Sequence, residues 1–156
     1  YRHDHTCKNL CQFGSELSSG SVTQFGGITH VNNNHWVAFL ISPTESTIYL
    51  ADSLHAPTRD DKTSVPATEA ICALQWWLDA SYLELNKSVS PFRIAWLPIA
   101  YQNDLSSCGF FALNALMHCL NPTKYSLCDC IDTAMLRIRL LTSILNHHAT
   151  HVSEHT

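Results

Sequence analysis

Four residues in this chain have the types and positions that thiol acyl transfer needs: His35, Asp52, Gln102 and Cys108. His35 precedes an apolar run, Val37-Ala38-Phe39-Leu40-Ile41, with the length of a buried strand. Asp52 follows a second such run, Thr47-Ile48-Tyr49-Leu50-Ala51, and Ser42 to Ser46 supplies turn chemistry between the two. Strands joined by a short turn form a hairpin, so the start of one lies beside the end of the other. The 17-residue spacing therefore predicts His35 and Asp52 as neighbours at one end of a sheet. A carboxylate there holds an imidazole in one tautomer and orientation. Cys108 opens the segment Gly109 to Met117, apolar nearly all round like a buried helix. The unpaired N–H groups and positive dipole end of a helix N-terminus favour thiolate over thiol. Gln102, six residues upstream in a polar loop, can donate its amide to a developing oxyanion beside the Cys108 N–H. Nucleophile, base, orienter and oxyanion donor are then all present. Each residue alone has a plainer reading, as a cap, a turn residue or a packing thiol. The combination and its order carry the argument.

The elements that position these residues can be read around them. Ile28 to Val31 is a short β-like piece ahead of the Asn32-Asn33-Asn34 turn. Pro66 suits the first turn of a helix, and Ile71, Leu74, Leu78, Tyr82 and Leu85 follow at helical spacing. Phe92 to Leu97 is extended between Pro91 and Pro98, and Asn121-Pro122 ends the Cys108 helix. A last helix over about 129–146 puts Ile131, Ala134, Ile138, Leu141 and Leu145 on one face. The order strand, strand, helix, strand, helix, helix predicts an α+β domain with a small central sheet. Residues 1–27, rich in Gly and Ser, read as loop or as an N-terminal remnant of the domain. Residues 28–146 read as the catalytic domain, and 147–156 as a His-rich tail.

The segments His35-Trp36, Ala51-Asp52-Ser53-Leu54 and Gln102-Asn103-Asp104-Leu105-Ser106-Ser107-Cys108-Gly109 resemble the catalytic motifs of ubiquitin-like-protein-specific cysteine proteases. This is the SUMO-protease family, which shares its fold with the adenovirus protease. The chain order His, Asp, Cys matches, as do both internal distances. The resemblance implies a cysteine-protease fold: a small mixed sheet flanked by helices, with the nucleophile at the N-terminus of a buried helix. It implies His35 as general base, Asp52 as its orienter, Cys108 as nucleophile and Gln102 as part of the oxyanion hole. It gives Trp36 a substrate-binding role, lining a narrow tunnel for a Gly-Gly tail. The implied partner is a ubiquitin-like, SUMO-like modifier or its conjugates, and no metal or organic cofactor is implied. Two features depart from the pattern. No Trp-Leu-Asn-Asp-like segment occurs in residues 1–30, and Ala100-Tyr101 precedes Gln102 where the family commonly carries a Pro-Gln-Gln run.

Composition limits the alternatives. A length of 156 residues suits one domain, and 46% hydrophobic residues supply a core. The net charge of −4 argues against a phosphate-binding nucleic-acid module. No apolar run reaches the roughly 20 residues of a membrane span. The chain begins at Tyr1 without a Met and reads as part of something longer. Seven cysteines, an odd number, argue against a secreted disulfide framework and for a reducing intracellular setting, nuclear or cytoplasmic. Cys72 and Cys119 read as packing residues, Trp76-Trp77 as helix packing, and Arg137 and Arg139 as a solvated face. Two rival functions remain. One is a zinc module built from His3, His5, Cys7 and Cys11, or from Cys128, Cys130 and His147, His148, His151 and His155. The other is a catalytically silent, protease-like domain that binds a modifier or another protein.

Overall fold

The computed structural model of the chain describes residues 5–31, 34–55, 65–88, 90–128 and 133–154. Helix α1, His5–Ser19, precedes three strands, β1 Phe25–Val31, β2 His35–Ser42 and β3 Thr47–Ala51. Helix α2, Val65–Glu84, leads to β4, Arg93–Trp96, followed by α3, Cys108–Leu120, and α4, Thr133–Glu154. The strands form one sheet in the order β1-β2-β3-β4. The first three are antiparallel, and β4 pairs with β3 in parallel. A parallel neighbour requires a crossover, and α2 provides it. This is the α+β arrangement with a small mixed sheet that the sequence predicts.

Strand β2 is buried along nearly its whole length, as its unbroken apolar run requires of a strand covered on both faces. Phe39 and Ile41, with Ile48 and Leu50 of β3, pack against Leu17 of α1, Leu78 of α2 and Phe92. On the other face, Ala38, Leu40 and Ala51 meet Ala112, Ala115 and Leu116 of α3. The close approach of α3 needs a glycine in β1. A Cβ on Gly26 would stand 2.9 Å from Leu116 Cδ1 and 3.1 Å from the Phe39 carbonyl oxygen.

Two expectations give way. The loop reading of residues 1–27 is one: they hold α1 and the first three residues of β1. The serines and Gly14 make α1 a poor helix by propensity, yet its docking on α2 overrides this. Leu17 is buried, and a Cβ on Gly14 would fall 2.2 Å from Ser81 Oγ. At Gly20 the helix ends in a left-handed residue (φ 84°), as helix C-termini commonly do. The apolar face expected on the last helix is not its packing face. Ile138, Leu141 and Leu145 are exposed, and Leu140 is the residue that packs, against Phe111 of α3. Helix α4 rests on α3 alone among the described elements it contacts substantially. Ile131 lies outside the described residues.

Candidate active site

The β2–β3 hairpin brings His35 and Asp52 together. The register pairs Ala38 with Ala51, and continuing it toward the strand ends makes positions 35 and 52 diagonal neighbours. Both side chains are buried, and His35 Nε2–H donates to Asp52 Oδ1 at 2.8 Å. The carboxylate is itself immobilised. Oδ1 accepts the backbone N–H groups of Leu54 (2.9 Å) and His55 (3.1 Å). Oδ2 lies 3.0 Å from His55 Nδ1, which donates to it. With its proton on Nε2, His35 carries its lone pair on Nδ1. That atom is buried and has no hydrogen-bond partner among the described residues. A buried polar atom left unpaired costs stability, and such exceptions call for a functional explanation. Here the basic nitrogen is withheld from every structural bond.

Cys108 is the first residue of α3 and is 5% exposed. First-turn N–H groups of a helix lack intrahelical acceptors, so the thiol stands among donors suited to an oxyanion. The residue after Cys108 lies beside the residue after His35. A Cβ on Gly109 would stand 3.7 Å from Trp36 Cγ and Cδ1. Trp36 is half exposed, and its ring lies 4.6 Å from that of His30, its cross-strand partner in β1.

Gln102 is tied to the residue after Asp52. Its backbone N–H donates to the Ser53 carbonyl at 3.0 Å, and the buried Ser53 hydroxyl donates to its Oε1. Gln102 Nε2 donates to the Asp104 carbonyl, so one of its two amide hydrogens is engaged, and the second has no partner among the described residues. Asp104 organises the remainder of the loop. Oδ1 accepts the N–H groups of Ser106 and Ser107, each at 2.7 Å, and Oδ2 accepts the Ser107 hydroxyl at 2.7 Å. The Ser107 hydroxyl bond and then the Ser106 N–H bond hold the Asp104 carboxyl below the usual carboxylate range. Arg137 of α4 reaches back to the same loop, with Nη2 3.0 Å from Ser107 Oγ and its guanidinium 5.0 Å above the Phe110 ring.

The structure thus places His35 with Asp52, Gln102 beside Ser53, and Trp36 against Gly109. Four contributors had no role assigned from the sequence: Ser53 and Asp104, which lie within the resembling motif segments, and His55 and Arg137, which lie outside them. Asp-x-x-His is an available cue for His55, because a turn after an Asp returns position i+3 to its carboxylate. Arg137, read as part of a solvated face, is a loop brace. Of the paired tryptophans, Trp77 packs on the core and Trp76 is exposed. Cys11, Cys72, Cys108 and Cys119 are free thiols, with Cys72 and Cys119 exposed rather than packed. The side chains of His3, His5, Cys7, Cys130, His147, His148, His151 and His155 lie outside the described residues. Among the described residues, no helix is long and apolar enough to cross a membrane.

Comparison with known proteins agrees with this geometry. The profile of the Ulp1 protease family, C-terminal catalytic domain, matches residues 28–150. No curated protein sequence gives a significant match. Among solved structures, the chain is similar to the SUMO protease Ulp1 with its catalytic cysteine oxidised to a sulfenic acid. The TM-score is 0.58 at 15% identity, over 81% of this chain and 57% of that one. It is also similar to the C-terminal Ulp1 protease domain in complex with Smt3, the yeast ortholog of SUMO. There the TM-score is 0.57 at 18% identity, over 76% of this chain and 50% of that one. The chain therefore spans little more than half the length of these relatives, and the likeness is one of fold.

Proposed function

Because the chain belongs to the Ulp1 protease family through its C-terminal catalytic domain, we propose that it is a cysteine peptidase or isopeptidase cleaving after the C-terminal Gly-Gly of a ubiquitin-like, SUMO-like modifier. His35 Nδ1 takes the Cys108 proton, and Asp52 fixes the imidazole through Nε2. The Cys108 thiolate attacks the carbonyl carbon of the last glycine, forming the C–S bond of a tetrahedral intermediate. The Cys108 N–H and the second Gln102 amide hydrogen stabilise its oxyanion. His35 returns the proton to the leaving amine, the C–N bond breaks, and water hydrolyses the thioester. Trp36 lines the entry for the diglycine tail. Glycine suits such an entry because a tail without Cβ atoms can pass where side chains cannot.

The observation that carries this reading is the His35 imidazole, bonded to Asp52 at 2.8 Å through one nitrogen and buried with the other unpaired. A SUMO-like modifier bearing an electrophile at its C-terminal glycine is expected to label Cys108 covalently. Cys108→Ala abolishes the label, and His35→Ala slows it by about 10²- to 10⁴-fold. A wild-type chain that binds the modifier stoichiometrically without being labelled would instead be a silent binding domain.

A further inference from the structure

His55 is bonded to the same carboxylate as His35, from the solvent side. We propose that His35, Asp52 and His55 form a binding site for a borderline transition-metal dication such as Zn²⁺, and that its occupancy blocks the thiol site. The second half rests on the peptidase reading given above. His35, Asp52 and His55 offer donor atoms that all lie within 4.8 Å of one another. Two imidazole nitrogens and one carboxylate oxygen are a donor set suited to Zn²⁺, with an open fourth position for water.

The surroundings suit an ion. Asp52 supplies one negative charge, and its Oδ1 is held by the N–H groups of Leu54 and His55, the kind of outer support that fixes a ligating carboxylate. The His55 side chain is 45% exposed while His35 and Asp52 are buried, so the ion has an entry path on the His55 side. The nitrogen–oxygen contacts are now 2.8 and 3.0 Å. These contacts run to different oxygens of the carboxylate, and the donor atoms lie within 4.8 Å of one another; tetrahedral zinc with bonds of about 2.0–2.1 Å needs its ligands about 3.4 Å apart, a spacing that rotation of the partly exposed His55 ring brings within reach.

Coordination redistributes protons without releasing any. His35 Nε2 and His55 Nδ1 each turn a lone pair to the ion, and the proton each carried moves through solvent to the other nitrogen of the same ring. For His35 that nitrogen is the buried Nδ1. An imidazole coordinated at Nε2 and protonated at Nδ1 has no lone pair left to accept the Cys108 proton. Binding therefore disables the base while leaving the nucleophile chemically intact, and a chelator reverses it.

The test combines zinc titration by calorimetry with the rate of Cys108 alkylation by iodoacetamide, read by peptide mass spectrometry. His55→Gln is the main variant, since its amide still donates to Asp52 but ligates poorly; His55→Ala is the second, with folding checked by circular dichroism. The expected result is a zinc site whose affinity falls at least about tenfold in both variants and persists in Cys108→Ala. Zinc saturation slows alkylation in the wild type, and a chelator restores it. A zinc isotherm unchanged in both folded His55 variants overturns the site and assigns the ion elsewhere, including the terminal histidines. Loss of the site in Cys108→Ala with retention in His55→Gln overturns it in favour of the thiolate. Alkylation undiminished at saturating zinc overturns the block. A His55-dependent zinc site in a chain that no electrophilic modifier labels leaves the site standing and removes the peptidase reading.

Discussion

The two faces of the sheet are packed by different kinds of side chain. Toward α1 and α2 the filling is large: Phe39, Ile41, Ile48, Leu50, Leu78 and Phe92, with Phe25 and Trp77 5.3 Å apart at the margin. Toward α3 four alanines, Ala38, Ala51, Ala112 and Ala115, each at most 1% exposed, stand among Leu40, Leu97 and Leu116. Bulky residues bury much apolar area per side chain, about 25 cal/mol for each Å² removed from water. Small ones bury little but let a helix approach the strands closely. Helix α3 carries Cys108 at its first turn, and β2 carries His35 at its start. One face therefore supplies most of the stability, and the other supplies the proximity on which the chemistry depends.

A change that pushes α3 outward should break this division most visibly. Ala115→Leu inserts three carbons where the packing leaves no room, at a cost of about 1–3 kcal/mol. Displacing the nucleophile by about 1 Å can cost about 100-fold in rate. The folded variant is expected to lose about that factor in labelling by the electrophilic modifier. A folded Ala115→Leu chain labelled at the wild-type rate would mean that α3 position does not limit the reaction.

The brace on the nucleophile loop ranks next. Arg137→Ala removes the donor to Ser107 Oγ and the guanidinium above Phe110. A typical intramolecular hydrogen bond contributes about 1 kcal/mol net, so labelling should slow by roughly 3- to 10-fold, with Arg137→Lys intermediate. The fall should appear in the maximal rate rather than in modifier affinity, because Arg137 contacts the loop and not the tail entry. An affinity loss at constant maximal rate would place Arg137 in the docking surface instead.

A smaller effect concerns pH. The Asp104 carboxyl is held below its ordinary value of 3.8 by Ser107 and Ser106. A depressed carboxyl contributes its stabilisation above the ordinary value and loses it as pH falls through the lowered one. The Ser106 and Ser107 amide resonances should therefore titrate with a midpoint under 3.8, and Asp104→Asn should remove that transition. A midpoint at or above the ordinary value would mean that the loop does not hold the anion.

Much of the catalytic end of the sheet was legible in the sequence because its signals are local. Two apolar runs and turn chemistry put His35 and Asp52 at one end of a hairpin, and an all-round apolar run after Cys108 marks a buried helix. Of the other contributors, His55 was within reach of a local cue, since a turn at Ser53 and Leu54 returns it to the Asp52 carboxylate, whereas Arg137 depends on distant closure and meets Ser107 only once α4 packs on α3. Helix α1 was hidden for another reason. Its glycine and serines disfavour an isolated helix, and what holds it is docking, through Leu17 and the Trp77 Nε1–H bond to the Leu10 carbonyl at 3.1 Å.

The sharpest test of the comparison is a variant that should leave the chemistry alone. Leu78 is fully buried on the α1/α2 face, among Leu17, Phe39 and Ile48. Leu78→Ala leaves a cavity there and should cost about 2–5 kcal/mol in chemical denaturation. None of that cavity borders α3, because the sheet stands between them. Among molecules still folded, the rate of Cys108 labelling should stay within about twofold of wild type, as sites without shared partners behave additively. Stability would then fall steeply at constant reactivity, the reverse of Ala115→Leu. A large fall in labelling per folded Leu78→Ala molecule would mean that strain crosses the sheet, and that the two faces are one mechanical unit.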